Sequence, residues 1–183
     1  MRFARRTKPL DSPKSEQRSS GTTHKAALPE HVHVFEANDE VTFAADHDVM
    51  VEIWRVRPTA ESFARLDGYF RWLVERQPRV AALSIIDSPE TPDAHAREAG
   101  AALIRQYSQN LVGVAFVIEG GSFKHTVIRF SLTTIDLLSS STVPQPVFDQ
   151  SEGACRWLSE VVPTRTTRER CIVVNSLRGL PPR

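Results

Sequence analysis

The sequence predicts an α/β domain: a mixed, mostly parallel sheet with helices packed on it. Three observations carry this. Two nearly continuous apolar runs, "RVAALSIID" and "NLVGVAFVIEGG", have the character of strands covered on both faces. Segments whose apolar residues recur at helical spacing lie between the extended ones. Strands and helices alternate along the chain in the order β-β-α-β-α-β-α-β-α, the pattern of a sheet built with crossover helices.

Each element has a local reason. Residues 1–30 are rich in Arg, Lys, Ser, Thr and Pro and poor in large apolar groups, so they are expected to be a disordered basic arm. "HVHVFEAN" alternates as a half-buried strand, with Val32, Val34 and Ala37 on one side and His31, His33 and Phe35 on the other. "VTFAADHDVMVEIWRVRP" is a second extended stretch, broken near Ala45–Asp48 and ended by Pro58. In it Val49, Val51 and Ile53 share one face, while Met50, Glu52, Trp54 and Val56 share the other. "TAESFARLDGYFRWLVERQ" is a helix capped by Thr59, with Phe63, Leu66, Phe70, Leu73 and Val74 as its apolar stripe. Glu61–Arg65 and Asp67–Arg71 are spaced as helix ion pairs, and Pro78 stops the helix.

After the first apolar strand, Thr91-Pro92-Asp93 reads as a helix start, and Ala96, Ala99, Leu103 and Tyr107 line one face of that helix. After the second, "SFKHTVIRFSLTTIDLLSSS" is read as a helix, because a crossover is needed there despite its β-branched residues. "PQPVFDQ" is a short edge strand, since its prolines cannot donate to a central ladder. "SEGACRWLSEVV" is a helix capped by Ser151, with Ala154, Trp157, Leu158 and Val161 facing in. The domain is therefore expected to span residues 31–162. Residues 163–183 are expected to be a basic tail holding one weak strand over Cys171–Asn175.

The chain has 183 residues, 40% of them hydrophobic and 25% charged, close to globular averages. No apolar run approaches the ~18 residues of a membrane span, and the N-terminal stretch has no apolar segment of a secretory signal, so the expected location is cytoplasmic. Two cysteines make neither a disulfide framework nor a zinc site, and Cys155 is expected to be a small core residue. The net charge of +1 hides a split. Residues 1–30 carry seven Lys/Arg against three Asp/Glu, residues 31–162 eleven against eighteen, and residues 163–183 five against one. An acidic body with two basic ends is read first as ends that are solvated or fold back on the body. The second reading is contact with a nucleic acid or another anionic surface.

Two loops at the C-terminal ends of strands are the candidate sites, because α/β folds bind there. The first holds Asp87, Ser88, Thr91 and Asp93, at a helix start whose free N–H groups favour an anion, though its own acids oppose one. The second holds Glu119, Gly120, Gly121 and Ser122, where two glycines allow close backbone approach but no phosphate-loop Lys follows. His31 and His33 share a strand face without a third ligand, so no metal is expected. His95 and His125 form no recognisable triad order with Ser88, and Trp54, Trp72 and Trp157 are read as core.

The late segment carries a resemblance. Leu132-Thr133-Thr134-Ile135-Asp136-Leu137-Leu138 is followed by Val147-Phe148 and then by Glu152-Gly153-Ala154-Cys155-Arg156-Trp157-Leu158. With the element order, this resembles the STAS domains of anti-sigma-factor antagonists and their SpoIIAA-like relatives. The resemblance implies a STAS-like fold and a non-catalytic regulatory module that binds a partner protein, such as an anti-sigma factor or kinase, and sometimes a nucleotide or lipid; no cofactor is expected. It also implies a phosphorylated Ser in an Asp-Ser-Ser-Gly-like phrase. Here Asp87-Ser88 matches only the Asp-Ser pair, no Gly follows, and aligning helix starts brings Thr91 nearer that position. The alternative expectation is a small-ligand or lipid-binding α/β domain, also without catalysis.

Overall fold

The structure, a computed structural model, describes residues 28–119 and 140–180. Six strands form one sheet in chain order: β1 (Val32–Ala37), β2 (Val41–Asp46), β3 (Val49–Trp54), β4 (Val80–Ile86), β5 (Leu111–Val117) and β6 (Val147–Phe148). Helices α1 (Ala60–Val74), α2 (Ala94–Gln106), α3 (Ser151–Val161) and α4 (Thr167–Arg178) cover it. β2 alone runs against the other five strands, so the sheet is mixed and mostly parallel, as expected.

The order of the strands decides where the helices go. The β3-α1-β4 and β4-α2-β5 units both step the same way across the sheet. A right-handed crossover stepping one way always lands on the same face, which is why α1 and α2 lie side by side. Tyr107 Oη and Gln106 Nε2 both donate to Asp67 Oδ1, at 2.7 and 2.6 Å, and tie the pair together. Helices α3 and α4 follow the edge strand β6 and cover the opposite face.

Side-chain alternation then sorts the core into two layers. Phe43, Met50, Trp54, Ala82 and Phe116 meet Leu66, Phe70, Leu73, Ala101 and Ile104 on the α1/α2 face. Val49, Val51, Ile53, Leu83, Ile85 and Val117 meet Ala154, Cys155, Leu158, Val173, Val174 and Leu177 on the α3/α4 face. Cys155 is a core residue, and burial raises its thiol pKa. Thr59 caps α1 in a reciprocal box with Ser62, and both expected ion pairs on α1 form, at 3.7 and 2.9 Å.

Several expectations are corrected. The stretch from Val41 to Trp54 is two strands, not one broken strand. Its hairpin turn at His47-Asp48 is made by His47 at φ 55°, the positive φ a two-residue hairpin needs. Asp93, not Thr91, caps α2, accepting from Ala96 N at 2.9 Å. On α2 the buried stripe is Ala96, Gly100, Ala101, Ile104 and Tyr107, with Leu103 half-buried beside it. Ser151 is the first residue of α3 rather than its cap. The weak strand expected over Cys171–Asn175 is helix α4, and residues 163–180 are part of the cover of the sheet rather than a loose tail. A β-branched run suggested a strand there, but Thr166 and Glu169 form a capping box that starts a helix. The helix expected over 122–140 lies outside the described residues, except for Ser140. So do residues 1–27 of the basic arm. Among the described residues, no helix is long and apolar enough to cross a membrane.

Candidate functional site: a buried carboxyl in an apolar cavity

Alternation along β3 puts Glu52 on the same face as Met50 and Trp54, under α1 and α2. In register it sits opposite Ser84 of β4 and Phe43 of β2. Its exposure is 5%, so the carboxyl is held in an apolar layer. Trp54 Nε1 lies 3.2 Å from Glu52 Oε2 and 3.0 Å from Ser84 Oγ, donating to both. Burial opposes the charged form and dominates, while the bonds from Ser84 and Trp54 favour it. The balance raises the pKa of Glu52 from 4.5 to about 7.

A cavity of about 60 Å³ adjoins this carboxyl. Phe63, Leu66 and Phe70 of α1, Gly100, Leu103 and Ile104 of α2, and Ala82 and Phe116 of the sheet form its walls. Gly100 allows α2 to lie close to α1: a Cβ there would stand 3.1 Å from the Phe63 ring. Pro58, Glu90 and Pro92, from the segments that follow β3 and β4, also line it. The cavity therefore reaches the C-terminal ends of the strands, where α/β folds take ligands. An apolar cavity with few polar groups and one perturbed acid has the form of a small-molecule site. Sequence reasoning placed Glu52 on the correct face but did not single it out. The signal was an acid flanked at i±2 by Met50 and Trp54.

The first expected loop lies nearby. Ser88 is 2% exposed; its Oγ accepts from Glu90 N at 3.1 Å, and its own N–H donates to Trp54 O at 3.0 Å. The hydroxyl thus closes a turn. Thr91 is half-buried, and Asp87 and Asp93 are exposed. The cap bond from Ala96 holds the Asp93 carboxyl below its ordinary pKa, against a smaller opposing effect of burial. Of the second loop only Glu119 is described; Gly120, Gly121 and Ser122 lie outside the described residues, as does His125. Glu119 accepts from Ser151 Oγ at 2.6 Å. Arg178 of α4 bridges the two loops, with Nη1 3.0 Å from Glu119 Oε2 and Nη2 3.5 Å from Asp87 Oδ1.

The basic C-terminal segment is neutralised by the acidic body at a second place. Arg170 is 2% exposed and lies 3.9 Å from Asp46 Oδ2 and 3.6 Å from Asp48 Oδ1. Its Nη2 also donates to Val162 O at 2.6 Å. Arg165 stands 3.9 Å from Asp46 Oδ1 and contacts His47 Nε2. The ligand atoms of His31, Asp46 and His47 lie within 4.8 Å of one another. Two guanidinium groups already supply the positive charge there, so the donor set does not favour a metal cation. His33 finds a different partner from His31, stacking on Trp72 at 4.8 Å, while His31 stacks on His47 at 5.1 Å. Trp54 is core, and Trp72 and Trp157 pack at its margins. His95 is exposed on α2.

No family model matches the chain, and no curated protein matches it. Among solved structures, it is similar to an uncharacterized protein of the DUF3478 family with a SpoIIAA-like fold from Shewanella loihica PV-4. The identity is 14%, the match covers 73% of this chain and 98% of that one, and the TM-score is 0.45.

Proposed function

We propose that this chain is a SpoIIAA-like binding module without catalytic activity, and that the cavity under α1 and α2 receives a small ligand with an apolar body. The observation that carries this is Glu52, a carboxyl buried in an otherwise apolar cavity that reaches the C-terminal ends of the strands. Of the two acids among the described residues that line it, Glu90 is exposed and Glu52 is buried. The rest of the buried lining is largely apolar, which suits binding of an apolar body.

The test is thermal stabilisation by a panel of small molecules with apolar bodies, neutral and charged, on the wild type and on Ala82→Val. Ala82 is buried in the cavity wall, so the added methyl groups fill the space. A ligand that binds only the folded state raises Tm. The wild type should respond to some members of the panel and A82V to none. A panel without effect on the wild type, or equal shifts in both proteins, refutes the proposal.

A protein partner is the second reading, favoured by the contacts of Arg178. They draw Asp87, Glu119 and α4 into one polar surface at the strand ends. The resemblance read from the sequence points to an anti-sigma factor or kinase as that partner. Thr91, being partly exposed, is then the hydroxyl a kinase reaches first; Ser88 becomes reachable when its turn opens. Phosphopeptide mapping after incubation with such a kinase separates the two, and an unmodified chain removes the switch from this reading.

A further inference from the structure

We infer that the cavity beside Glu52 is built for a small aliphatic ammonium ion. This rests on the cavity being a ligand site and names the class of ligand. The first observation is charge. The described residues that line the cavity include two acids, Glu52 and Glu90, and no Arg, Lys or His. On the other face of the same sheet, buried Asp46 and Asp48 both have Arg170 within 4 Å. Glu52 is buried as deeply with no cation beside it among those lining residues.

The second observation is hydrogen-bonding capacity. A carboxylate has about four acceptor positions, and among the described residues Glu52 is bonded by Trp54 and Ser84. An ammonium N–H is a donor that also supplies the missing charge. The third is the wall. Trp54, Phe63, Phe70 and Phe116 line the cavity with Glu52, and aromatic faces attract ammonium ions. A carboxylic acid would meet like charge, and a bulky ligand would not fit. About 60 Å³ suits a short chain, being well below the roughly 150 Å³ that accepts benzene.

The probes are propylammonium and butylammonium chloride, with 1-butanol, sodium butyrate and sodium chloride as controls. Binding is followed by Tm and by the indole N–H resonances of the three tryptophans, with Trp54 assigned through Trp54→Phe. At about ten times Kd the alkylammonium salts should raise Tm by about 4 °C. They should also shift the Trp54 indole signal, and Glu52→Gln should lose the Tm response. Gln matches the shape of the protonated carboxyl, so E52Q is expected to fold; the wild-type indole titration reads binding independently of it. If butanol binds as well as butylammonium, or E52Q keeps its response, the ammonium class is overturned while the ligand site stands. If no probe moves either readout, both are overturned.

Discussion

The two faces of one sheet bury acid in opposite ways. Under α3 and α4, Asp46 and Asp48 share Arg170, a guanidinium as buried as they are, with Arg165 at the rim. Under α1 and α2, Glu52 has two neutral donors and a cavity. Both arise from the same alternation along a hairpin, six residues apart, so placement alone does not distinguish them. The difference lies in what the covering helices bring. Helix α4 inserts Arg170 ahead of Val173, Val174 and Leu177, while the residues that α1 and α2 bring to the cavity, Phe63, Leu66, Phe70, Gly100, Leu103 and Ile104, carry no charge. A paired buried charge locks helix to sheet, whereas an unpaired one leaves a protonation equilibrium and an unused binding capacity.

The largest effect should come from breaking the paired side. Arg170→Met strands two carboxylates in a dry layer, and loss of one partner of a buried ion pair costs about 3–5 kcal/mol. Urea unfolding should show a lower midpoint at an unchanged m-value. Adding Asp46→Asn and Asp48→Asn to R170M should recover much of the loss. If R170M unfolds at the wild-type midpoint, the cluster does not hold α4 in place.

The unpaired side should respond in the opposite direction. The pKa of Glu52 is raised by burial from 4.5 to about 7. The folded state therefore holds a proton that the unfolded state has released across that window, and stability falls as pH rises from 4.5 to 7. The full shift corresponds to on the order of 3 kcal/mol. Glu52→Gln should thus be more stable than wild type at pH 8 and similar to it at pH 4.5. His31 works the other way. Burial first, and Arg165 next, lower its pKa, so its contribution to stability is lost as pH falls below 6.5. The difference between wild type and E52Q, measured at each pH, cancels the His31 contribution. A pH-independent difference would mean that Glu52 does not titrate in the fold.

A matched pair of glycines sharpens the comparison through packing. On β5, a Cβ at Gly113 would overlap the indole ring of Trp157, held on α3. On α2, a Cβ at Gly100 meets the Phe63 ring at 3.1 Å, and that ring borders the cavity and has space to move. Gly113→Ala should cost about 1–3 kcal/mol by overpacking. Gly100→Ala should fall within about 1 kcal/mol of wild type, since the helix gains from Ala. Equal losses would show that both faces are packed alike.

The sequence made the frame of the fold legible because alternation and capping are local. Val49 to Trp54 could be split into two faces residue by residue, and Thr59 announced α1. What it hid depended on partners far along the chain. Arg170 lies more than a hundred residues from Asp46, and no local pattern pairs them. The Cys171–Val174 run has strand composition, and the Thr166–Glu169 box that overrides it is a signal of only four residues. Ser88 was legible as a loop residue, but its burial and its backbone bond to Trp54 on the neighbouring strand were not. The cavity at Glu52 follows from the spacing of two helices and was not accessible from any one segment.

The smallest expected effect on stability is at Arg178, which links the loops that both faces send to the strand ends. Its ion pairs with Asp87 and Glu119 are partly exposed to water, and such pairs contribute about 0–1 kcal/mol each. Arg178→Ala should therefore leave Tm within a few degrees of wild type. Its consequence should be local: amide hydrogen exchange should quicken at Asp87 and Glu119, while the β4 and β5 amides keep their protection. If a partner reads this surface, the same variant should weaken that complex far more than it lowers Tm. A large drop in Tm would instead make Arg178 a second lock of α4, alongside Arg170, and would move this corner to the rigid side of the comparison.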